Sequence, residues 1–254
     1  MVKSRRAAAD GGGVHPSGLY PAGGFAEYMV APASSIVVLP DGVSFDEAAR
    51  FGYLGTAYAA LRRVGTGPDT TVLINGATGT VGVGAVMLAL AMGVPKVLAV
   101  ARNEKLLAEL KSLAPRRVVT HSNNDGPCTE WARAHTEGLG PDVMLEARSP
   151  GTSTESTTQA MASVARGGRI VTVGGDFNHF EIDPIWFMVN QITYTGSCWF
   201  TTAQGEQMAA MAASGALDLS AFRHQRFPLD QVTQALEASC DREHGGFNNV
   251  VVAP

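Results

Sequence analysis

The sequence has few cysteines and no long apolar run, and each shortage excludes a class of protein. Its three cysteines, Cys128, Cys198 and Cys240, lie far apart and form no C-x-x-C pair, which is typical of a reduced cytoplasmic chain. The longest uncharged apolar stretch, residues 81–94, is too short to span a bilayer. We therefore expect a cytoplasmic protein that has no membrane partner.

Basic residues are also scarce along most of the chain. The net charge is −4 and no basic cluster follows the first six residues, so we expect no nucleic-acid partner. The basic start, MVKSRR, runs into AAADGGG instead of an apolar segment, and no signal peptide is predicted. Apolar residues make up 45% of the chain, enough for the core of one large or two small domains.

The most informative stretch covers residues 71–102, TVLINGATGTVGVGAVMLALAMGVPKVLAVAR. A short apolar run, Val72–Ile74, leads into a glycine turn, and a continuous apolar segment then extends to Met92. A second β-branched run follows at Val97–Val100. This order of strand, turn, buried helix and strand predicts a βαβ unit with a phosphate-binding turn.

Each glycine of the turn has a separate predicted role. Gly76 allows the sharp change of direction, Gly79 lets a diphosphate approach the backbone, and Gly82 lets the helix pack closely. The alternative is a glycine-rich turn in an ordinary α/β domain, and the second strand at the proper distance favours the nucleotide site. We expect main-chain amides at a helix N-terminus to bind the diphosphate, within the set Gly76, Thr78, Gly79, Thr80, Val81 and Gly82.

Strand and helix patterns alternate through the rest of the chain. Alternation of this kind predicts an α/β fold with a doubly wound, mainly parallel sheet. Before the turn, the apolar patterns predict strands at Phe25–Val30 and Ile36–Leu39, a helix capped by Ser44, and a helix at Thr56–Arg63. Beyond the turn, helices are predicted at 104–113, 129–136, 154–164, 204–213 and 229–239, and strands at 118–119, 143–145, 170–173, 192–197 and 249–252.

Several longer motifs carry a resemblance to a known superfamily. GGFAEYMVAP, VVLPDGVSFDEAA, GTAYAAL, GGRIVTVGG and ITYTGS, together with the glycine turn, resemble the medium-chain dehydrogenases/reductases over residues 22–254. That superfamily includes zinc alcohol dehydrogenases and zinc-free quinone reductases. The resemblance implies a Rossmann domain at 56–199, a reduced remnant of the GroES-like catalytic domain at 25–55 and 200–254, and a tail or loop at 1–24.

The same resemblance implies positions for the cofactor and for a second subunit. Thr56 is expected to lie against the nicotinamide ring, and backbone groups at Val173, Ser197 and Trp199 are expected to face its carboxamide. Related proteins pair across the strand that corresponds to residues 192–197. We therefore expect a homodimer.

The departures from the superfamily concern zinc. The chain has no counterpart of most of the N-terminal GroES-like domain, which carries the first catalytic cysteine ligand and the Gly-His-Glu motif in the superfamily. Gly52 stands where the remaining ligand cysteine would be, and the six histidines show no metal-ligand spacing. No metal site is predicted.

The residues after the second strand bear on the choice of cofactor. Ala101 occupies the position where NAD-binding proteins carry an acidic residue for the ribose 2′-OH. Arg102, assisted by Asn103 and Lys105, can instead bind a 2′-phosphate, so NADP(H) is predicted to be preferred over NAD(H). The alternative is that Arg102 is an ordinary solvated loop arginine.

Two further features allow more than one interpretation. Arg148, in the segment 146–149, is a second phosphate contact, a side chain that crowds the groove, or the partner of a neighbouring carboxylate. Tyr53 and Tyr58 either donate a hydrogen bond to a substrate oxygen or pack between domains. No catalytic residue is assigned from the sequence.

These observations lead to two hypotheses about function. The first is an NADP(H)-dependent oxidoreductase without zinc, which transfers a hydride between nicotinamide and a small carbonyl, quinone, enone or alcohol. The alternative is a nucleotide-binding module without competent chemistry, or a truncated zinc-type alcohol dehydrogenase.

Overall fold

The computed structural model describes residues 24–149, 154–174, 179, 181–240 and 243–254. Contacts between α-carbons divide the chain into two compact units, Thr56–Cys198 and the remainder of the chain on both sides of it. The predicted tail at residues 1–24 lies outside the described residues, apart from Gly24. In the described ranges, each helix is too short or too polar to cross a membrane.

The unit Thr56–Cys198 is built on a parallel sheet with helices between successive strands. Its strand order is β3-β2-β1-β4-β5-β6, and every pairing is parallel. This confirms the predicted doubly wound sheet, in the order typical of dinucleotide-binding proteins. The strands are β1 Thr71–Asn75, β2 Lys96–Ala101, β3 Val118–Ser122, β4 Val143–Glu146, β5 Arg169–Thr172 and β6 Thr193–Gly196.

The helices of this unit follow from the apolar pattern of the sequence. Residues Gly82–Ala89 of the helix after the glycine turn are all buried, as their continuous apolar sequence requires. The next helix has an amphipathic pattern and buries three of its four leucines. The helices are α2 Phe51–Arg63, whose first five residues belong to the other unit, α3 Thr80–Ala91, α4 Glu104–Leu113, α5 Cys128–Ala134, α6 Thr154–Ala162 and α7 Pro184–Asn190.

The hydrophobic core of this unit lies against the central strands. Apolar side chains from β1, β2, β4 and β5 pack on residues of α5 and α6. A parallel sheet covered on both faces needs apolar residues at successive positions, and the strand runs of the sequence provide them. The core cluster comprises Leu73, Leu98, Val100, Cys128, Ala132, Met144, Ala160, Met161, Val164 and Ile170.

The other unit joins residues from both ends of the chain. Ser44 caps its first helix by accepting a hydrogen bond from the Glu47 amide, and the Glu47 side chain accepts one from the Ser44 amide, so the predicted cap is confirmed. Asp46 in this helix pairs with Arg226 at 2.6 Å, and that hydrogen bond lowers the pKa of the Asp46 carboxyl. The elements are α1 Phe45–Ala48, α8 Thr202–Ala213, the parallel pair β7 Arg223–Pro228 and β8 Asn248–Ala253, and α9 Val232–Ser239.

The two strands predicted near the start of the chain are wrong. Phe25–Val30 has no regular structure, and Ile36–Leu39 has a single bridge residue, Ile36, after a short 3-10 turn. A strand needs a hydrogen-bonding partner along its length, and no neighbour in the described chain provides one for Phe25–Val30. Its side chains are accordingly open to solvent, with Tyr28 88% and Val30 93% exposed.

Two elements of the fold were not predicted. Helix α7 begins at Pro184 with Asp183 as its N-cap, and its apolar sequence shows no helical alternation. Strand β7 has the sequence RHQRFP and is mostly exposed, so it lacks the apolar run by which the other strands were recognised. Both elements depend on neighbours that are distant in sequence.

Candidate functional site

The register of the sheet brings the predicted site residues to one edge. Val100, Asn75, Glu146, Thr172 and Gly196 lie opposite one another as the last or nearly last residues of neighbouring strands. Parallel sheets bind ligands outside these carboxyl ends, where the strand order reverses direction. Here that point lies between β1 and β4. The residues that follow these strands are therefore the candidate site.

The glycine turn after β1 is held by its own hydrogen bonds. Gly76 has a φ of +85°, which favours glycine. The amides of Gly76 and Ala77 both donate to the Val100 carbonyl, at 2.9 and 3.0 Å, and the Gly79 amide donates to the Gly76 carbonyl at 3.0 Å. Gly76 and Gly79 thus shape the turn, and their amides are already used.

The helix that follows the turn presents unused donors. Gly79 is the N-cap of α3 and provides no side-chain hydrogen bond. The first helical bond runs from the Val83 amide to the Gly79 carbonyl at 2.9 Å, so helix geometry leaves the Val81 and Gly82 amides without an intrahelical partner. With the positive end of the helix dipole, these amides form a site suited to a phosphate group.

Gly82 keeps this helix close to the turn. A Cβ at Gly82 would lie 2.1 Å from the Gly76 carbonyl oxygen and 2.7 Å from the Ala77 carbonyl carbon. The sequence analysis assigned Gly82 to close helix packing, and the contact is with the turn's own backbone. A Cβ at Gly79 would lie 3.3 Å from the same Gly76 oxygen. A side chain at Gly82 would therefore require the turn backbone to move, whereas one at Gly79 would require a shift of only a few tenths of an ångström.

The three residues predicted to determine the preference for NADP(H), which follow β2, differ in their surroundings. Asn103 is the N-cap of α4, because its Oδ1 accepts a hydrogen bond from the Leu106 amide at 3.1 Å. Lys105 is exposed on α4. Arg102 is exposed and lines a cavity of about 320 Å³ at the ends of β2, β3 and β4. Of the three, Arg102 is the side chain placed on the cavity wall.

Polar residues form most of this cavity. Asn123 donates from Nδ2 to the Ser156 hydroxyl at 3.1 Å, while its buried Oδ1 has no partner among the described residues. Such a buried acceptor can be satisfied by a ligand N–H group. The lining residues are Arg102, Asn123, Gly126, Pro127, Arg148, Glu155, Ser156 and Gln159.

The structure shows the ion pair that was one of the interpretations offered for Arg148. Its Nε lies 3.0 Å from Glu146 Oε1 in a buried ion pair, with Arg148 8% and Glu146 6% exposed. The neighbouring carboxylate is therefore its partner, although the side chain also lines the cavity. Because Glu146 balances the charge of Arg148, Arg102 is the arginine on this wall whose charge faces solvent.

At the ends of β5 and β6, main-chain groups are mostly engaged. The Val173 amide donates to the Glu146 carbonyl and the Ser197 amide to the Thr172 carbonyl, both at 3.0 Å. The Ser197 hydroxyl is buried without a partner in the described part of the chain. It is the second polar atom at this edge that a ligand can satisfy.

Two of the predicted residues belong to other parts of the chain. Thr56 is part-buried in α2, and Trp199 begins the second segment of the other unit, with a φ of +57° and 40% of its surface exposed. Their predicted roles at the nicotinamide ring stay predictions.

Sequence reasoning missed a buried polar group beneath the site. Asn75 is fully buried and donates from Nδ2 to Glu146 Oε2 at 2.9 Å, while the Ser156 hydroxyl donates to Asn75 Oδ1 at 3.3 Å. Arg148 also donates to the hydroxyl of Thr157 on α6. A polar residue that ends an apolar strand, as Asn75 and Glu146 do, was the available signal.

No group of three or more His, Cys, Asp or Glu side chains in the described ranges is arranged to hold a metal ion. Cys128 is buried, and that burial raises the pKa of its thiol to about 11. Gly52 lies in α2. The expectation that the chain has no zinc site remains a prediction.

Comparison with known proteins gives consistent matches. The profile of a family described as zinc-binding dehydrogenase matches residues 80–214, more than half of the chain. An alcohol dehydrogenase of Geobacillus stearothermophilus is 32% identical over 194 residues, which cover 76% of this chain and 55% of that protein. An L-threonine 3-dehydrogenase of Yersinia pestis (strain Pestoides F) is 31% identical over 229 residues, with coverage of 85% and 61%.

A solved structure agrees with these relatives. A thermostable alcohol dehydrogenase from Pyrobaculum aerophilum superposes with a TM-score of 0.73 at 28% identity, covering 91% of this chain and 64% of the other. The chain spans 55–61% of the length of the curated relatives described above. The similarity therefore includes the sheet and the glycine turn, but not the full length of those proteins.

The packing of Gly82 can be tested by adding one methyl group. We expect Gly82→Ala to lower the free energy of unfolding by about 2–3 kcal/mol, because the new Cβ meets rigid backbone. Gly52→Ala is the matched control: it also lies in a helix, where nothing stands within 4 Å of an added Cβ. It should be neutral or stabilise by up to about 1 kcal/mol. Urea unfolding measures both, and equal effects would contradict the assignment.

Proposed function

The chain belongs to the zinc-binding dehydrogenase family of the medium-chain dehydrogenase/reductase superfamily, and on that premise we propose that it is a nicotinamide-dependent oxidoreductase. The observation that carries the proposal is the N-terminus of α3, whose Val81 and Gly82 amides have no intrahelical partner behind a compact glycine turn. Its position at the switch point of the sheet is where dinucleotides bind in this fold. The named relatives, alcohol and threonine dehydrogenases, support the same reaction class.

Different residues at the carboxyl ends of the strands hold different parts of the dinucleotide. The α3 amides bind the diphosphate, Arg102 faces the adenosine side beyond β2, and the Ser197 hydroxyl offers a hydrogen bond beyond β6. The bound nicotinamide supplies the hydride chemistry. The protein's contribution is to hold the cofactor and substrate in a fixed orientation.

We further propose that the reaction uses no zinc and acts on a small carbonyl, quinone, enone or alcohol. Reduction of a carbonyl or enone needs a hydrogen-bond donor that polarises the oxygen, and this requirement can be met by a side chain. Of the two tyrosines considered, Tyr58 is only 3% exposed, which fits a packing role, whereas Tyr53 is 54% exposed.

Turnover and metal content test this proposal together. We expect purified protein to contain less than about one zinc per ten chains, since structural and catalytic zinc sites need three or four protein ligands. It should oxidise NADPH, followed by absorbance, with at least one member of a panel of quinones, enones and aldehydes. Stoichiometric zinc would contradict the zinc-free reaction. Nucleotide binding without turnover across the panel and with alcohols would favour the binding-module alternative.

For the cofactor, we propose NADP(H) over NAD(H). Ala101 at the end of β2 provides no carboxylate, and the exposed Arg102 lines the cavity, as does Glu155 from α6. The charge of Arg148 is balanced by Glu146, so Arg102 supplies the attraction for a 2′-phosphate.

Replacing Arg102 should weaken the binding of NADPH but not that of NADH. We expect Arg102→Gln to weaken NADPH binding by about tenfold to hundredfold, the effect of one charge-assisted hydrogen bond, and to leave NADH binding within about twofold. Arg116→Gln is the matched control, because Arg116 is also exposed but precedes β3 at the opposite edge of the sheet. Calorimetric titration measures both, and an equal loss for NADH and NADPH would contradict the proposal.

We also propose that the chain forms a homodimer through β6. This strand ends the sheet, and no described strand pairs with its outer side. Unpaired edges are commonly covered by another chain. Helix α7, directly before β6, exposes apolar side chains: Ile185 is 66%, Met188 70% and Val189 57% exposed.

A charge on α7 should disrupt this dimer. We expect Met188→Glu to raise the dimer dissociation constant about tenfold or more, because two carboxylates would be buried in an apolar interface. Leu139→Glu is the control, since Leu139 is 73% exposed between α5 and β4 and should leave the constant unchanged. Sedimentation across the micromolar range measures both. A wild-type monomer would refute the dimer.

A further inference from the structure

The last residue of β4, Glu146, is a buried carboxylate in the middle of the sheet edge. It pairs in register with Asn75 of β1 and Thr172 of β5, and only 6% of its surface is exposed. Burial of a charge is costly unless it is paired and hydrogen-bonded. The hydrogen-bonding partners of Glu146 therefore indicate why a buried charge is kept at this position.

The Glu146 carboxylate accepts hydrogen bonds from β1 and from the segment that follows β4. Oε2 accepts from Asn75 Nδ2 at 2.9 Å, and Oε1 accepts from both the amide and Nε of Arg148 at 3.0 Å. The main-chain carbonyl of Glu146 also accepts hydrogen bonds, from the amides of Val173 and Gly174. One residue thus connects the ends of β1, β4 and β5.

The main chain that this ion pair holds stands directly behind the phosphate-binding turn. A Cβ on Gly76 would lie 2.9 Å from the Arg148 amide nitrogen and 3.0 Å from its Cα. On the other side, a Cβ on Gly174 would lie 2.8 Å from the Arg148 carbonyl oxygen. The backbone of Arg148 is therefore confined between two glycines, and displacing it would move the wall against which Gly76 rests.

The turn is supported on both sides, by different contacts. Its hydrogen bonds run to the β2 side, from the Gly76 and Ala77 amides to the Val100 carbonyl. On the β4 side, the Ala147 amide donates to the Asn75 carbonyl at 2.9 Å, just before the turn, and Gly76 packs against the backbone at 147–148. The position of the turn therefore depends on a segment that the Arg148 side chain also helps to hold, through Glu146 and the hydroxyl of Thr157.

We propose that Glu146 and Arg148 are a positioning pair, whose buried ion pair holds the backbone behind Gly76 and so keeps the phosphate-binding turn in the shape that a diphosphate requires. This inference rests on the proposed nucleotide function. In this role both residues affect ligand binding indirectly, through the position of the turn. Glu146 does not line the cavity and needs no contact with the ligand.

The substitution Glu146→Gln tests the pair with little change in size. Glutamine has one acceptor oxygen. If that oxygen keeps Arg148 as its partner, the glutamine amide faces Asn75 Nδ2 donor to donor; if it keeps Asn75, Arg148 loses its acceptor. We expect binding of NADPH to weaken about tenfold, the loss that corresponds to one weakened hydrogen bond. Binding of 2′-AMP, which has the adenosine and 2′-phosphate but no diphosphate, should not weaken, because the change leaves the positive charge of Arg148 unbalanced on the cavity wall.

Calorimetry of both ligands should be done well below the melting temperature of each variant. Glu130→Gln is the matched control: it makes the same change in an exposed pair with Arg133, at 3.5 Å on α5, where surface pairs contribute little. It should alter neither affinity. If Glu146→Gln does not fold, Glu146→Asp keeps the charge and should give a loss of about threefold, restricted to NADPH.

A double variant distinguishes a positioning role of the ion pair from a contribution to the stability of the fold alone. Glu146→Gln combined with Arg148→Met removes both charges, so the melting temperature should recover because no charge is left buried alone. The affinity for NADPH should stay about tenfold low, because the tether is still missing. Recovery of both quantities, or equal losses for NADPH and 2′-AMP in Glu146→Gln, would overturn the inference. Failure of the wild type to bind NADPH would instead overturn the proposed function, and the inference with it.

Discussion

The proposed function depends on one constraint, which is that the Val81 and Gly82 amides at the start of α3 have no intrahelical partner next to a tightly folded turn. Gly79 provides no side chain to cap them, and Gly82 leaves no Cβ between the helix and the Gly76 carbonyl. Helix ends normally satisfy these donors with a side chain or water. A turn that leaves them open at the switch point of a parallel sheet is prepared for an anion.

The polar residues around this turn form a supporting layer in an otherwise apolar sheet. β1 and β4 are buried along almost their whole length and end in Asn75 and Glu146. These two side chains hydrogen-bond to each other, and Arg148 completes the charge balance. Because that pair is internally neutral, the proposed selection of a ligand by charge depends on exposed groups such as Arg102. Under the proposed function, structural support and ligand recognition therefore involve different side chains.

The sequence predicted the parts of the fold that depend on local patterns. The βαβ unit around Gly76–Gly82 and the amphipathic helix Glu104–Leu113 are confirmed because their signals lie in adjacent residues. Phe25–Val30 was wrong because a strand pattern does not guarantee a partner. The Asn75–Glu146 contact was missed because its members are separated by 71 residues. The sequence marks each of the two as a polar end of an apolar strand, but it does not show that they contact each other.

The most direct measurement is a titration of ¹⁵N-labelled protein with NADPH, followed through the backbone amide resonances. If the diphosphate binds to the start of α3, the largest and saturable shifts should occur at the amides of Val81 and Gly82, with smaller ones along β2 and β5. Shifts distributed over the surface without saturation, or unchanged resonances at Val81 and Gly82 in a protein that does bind NADPH, would contradict this account.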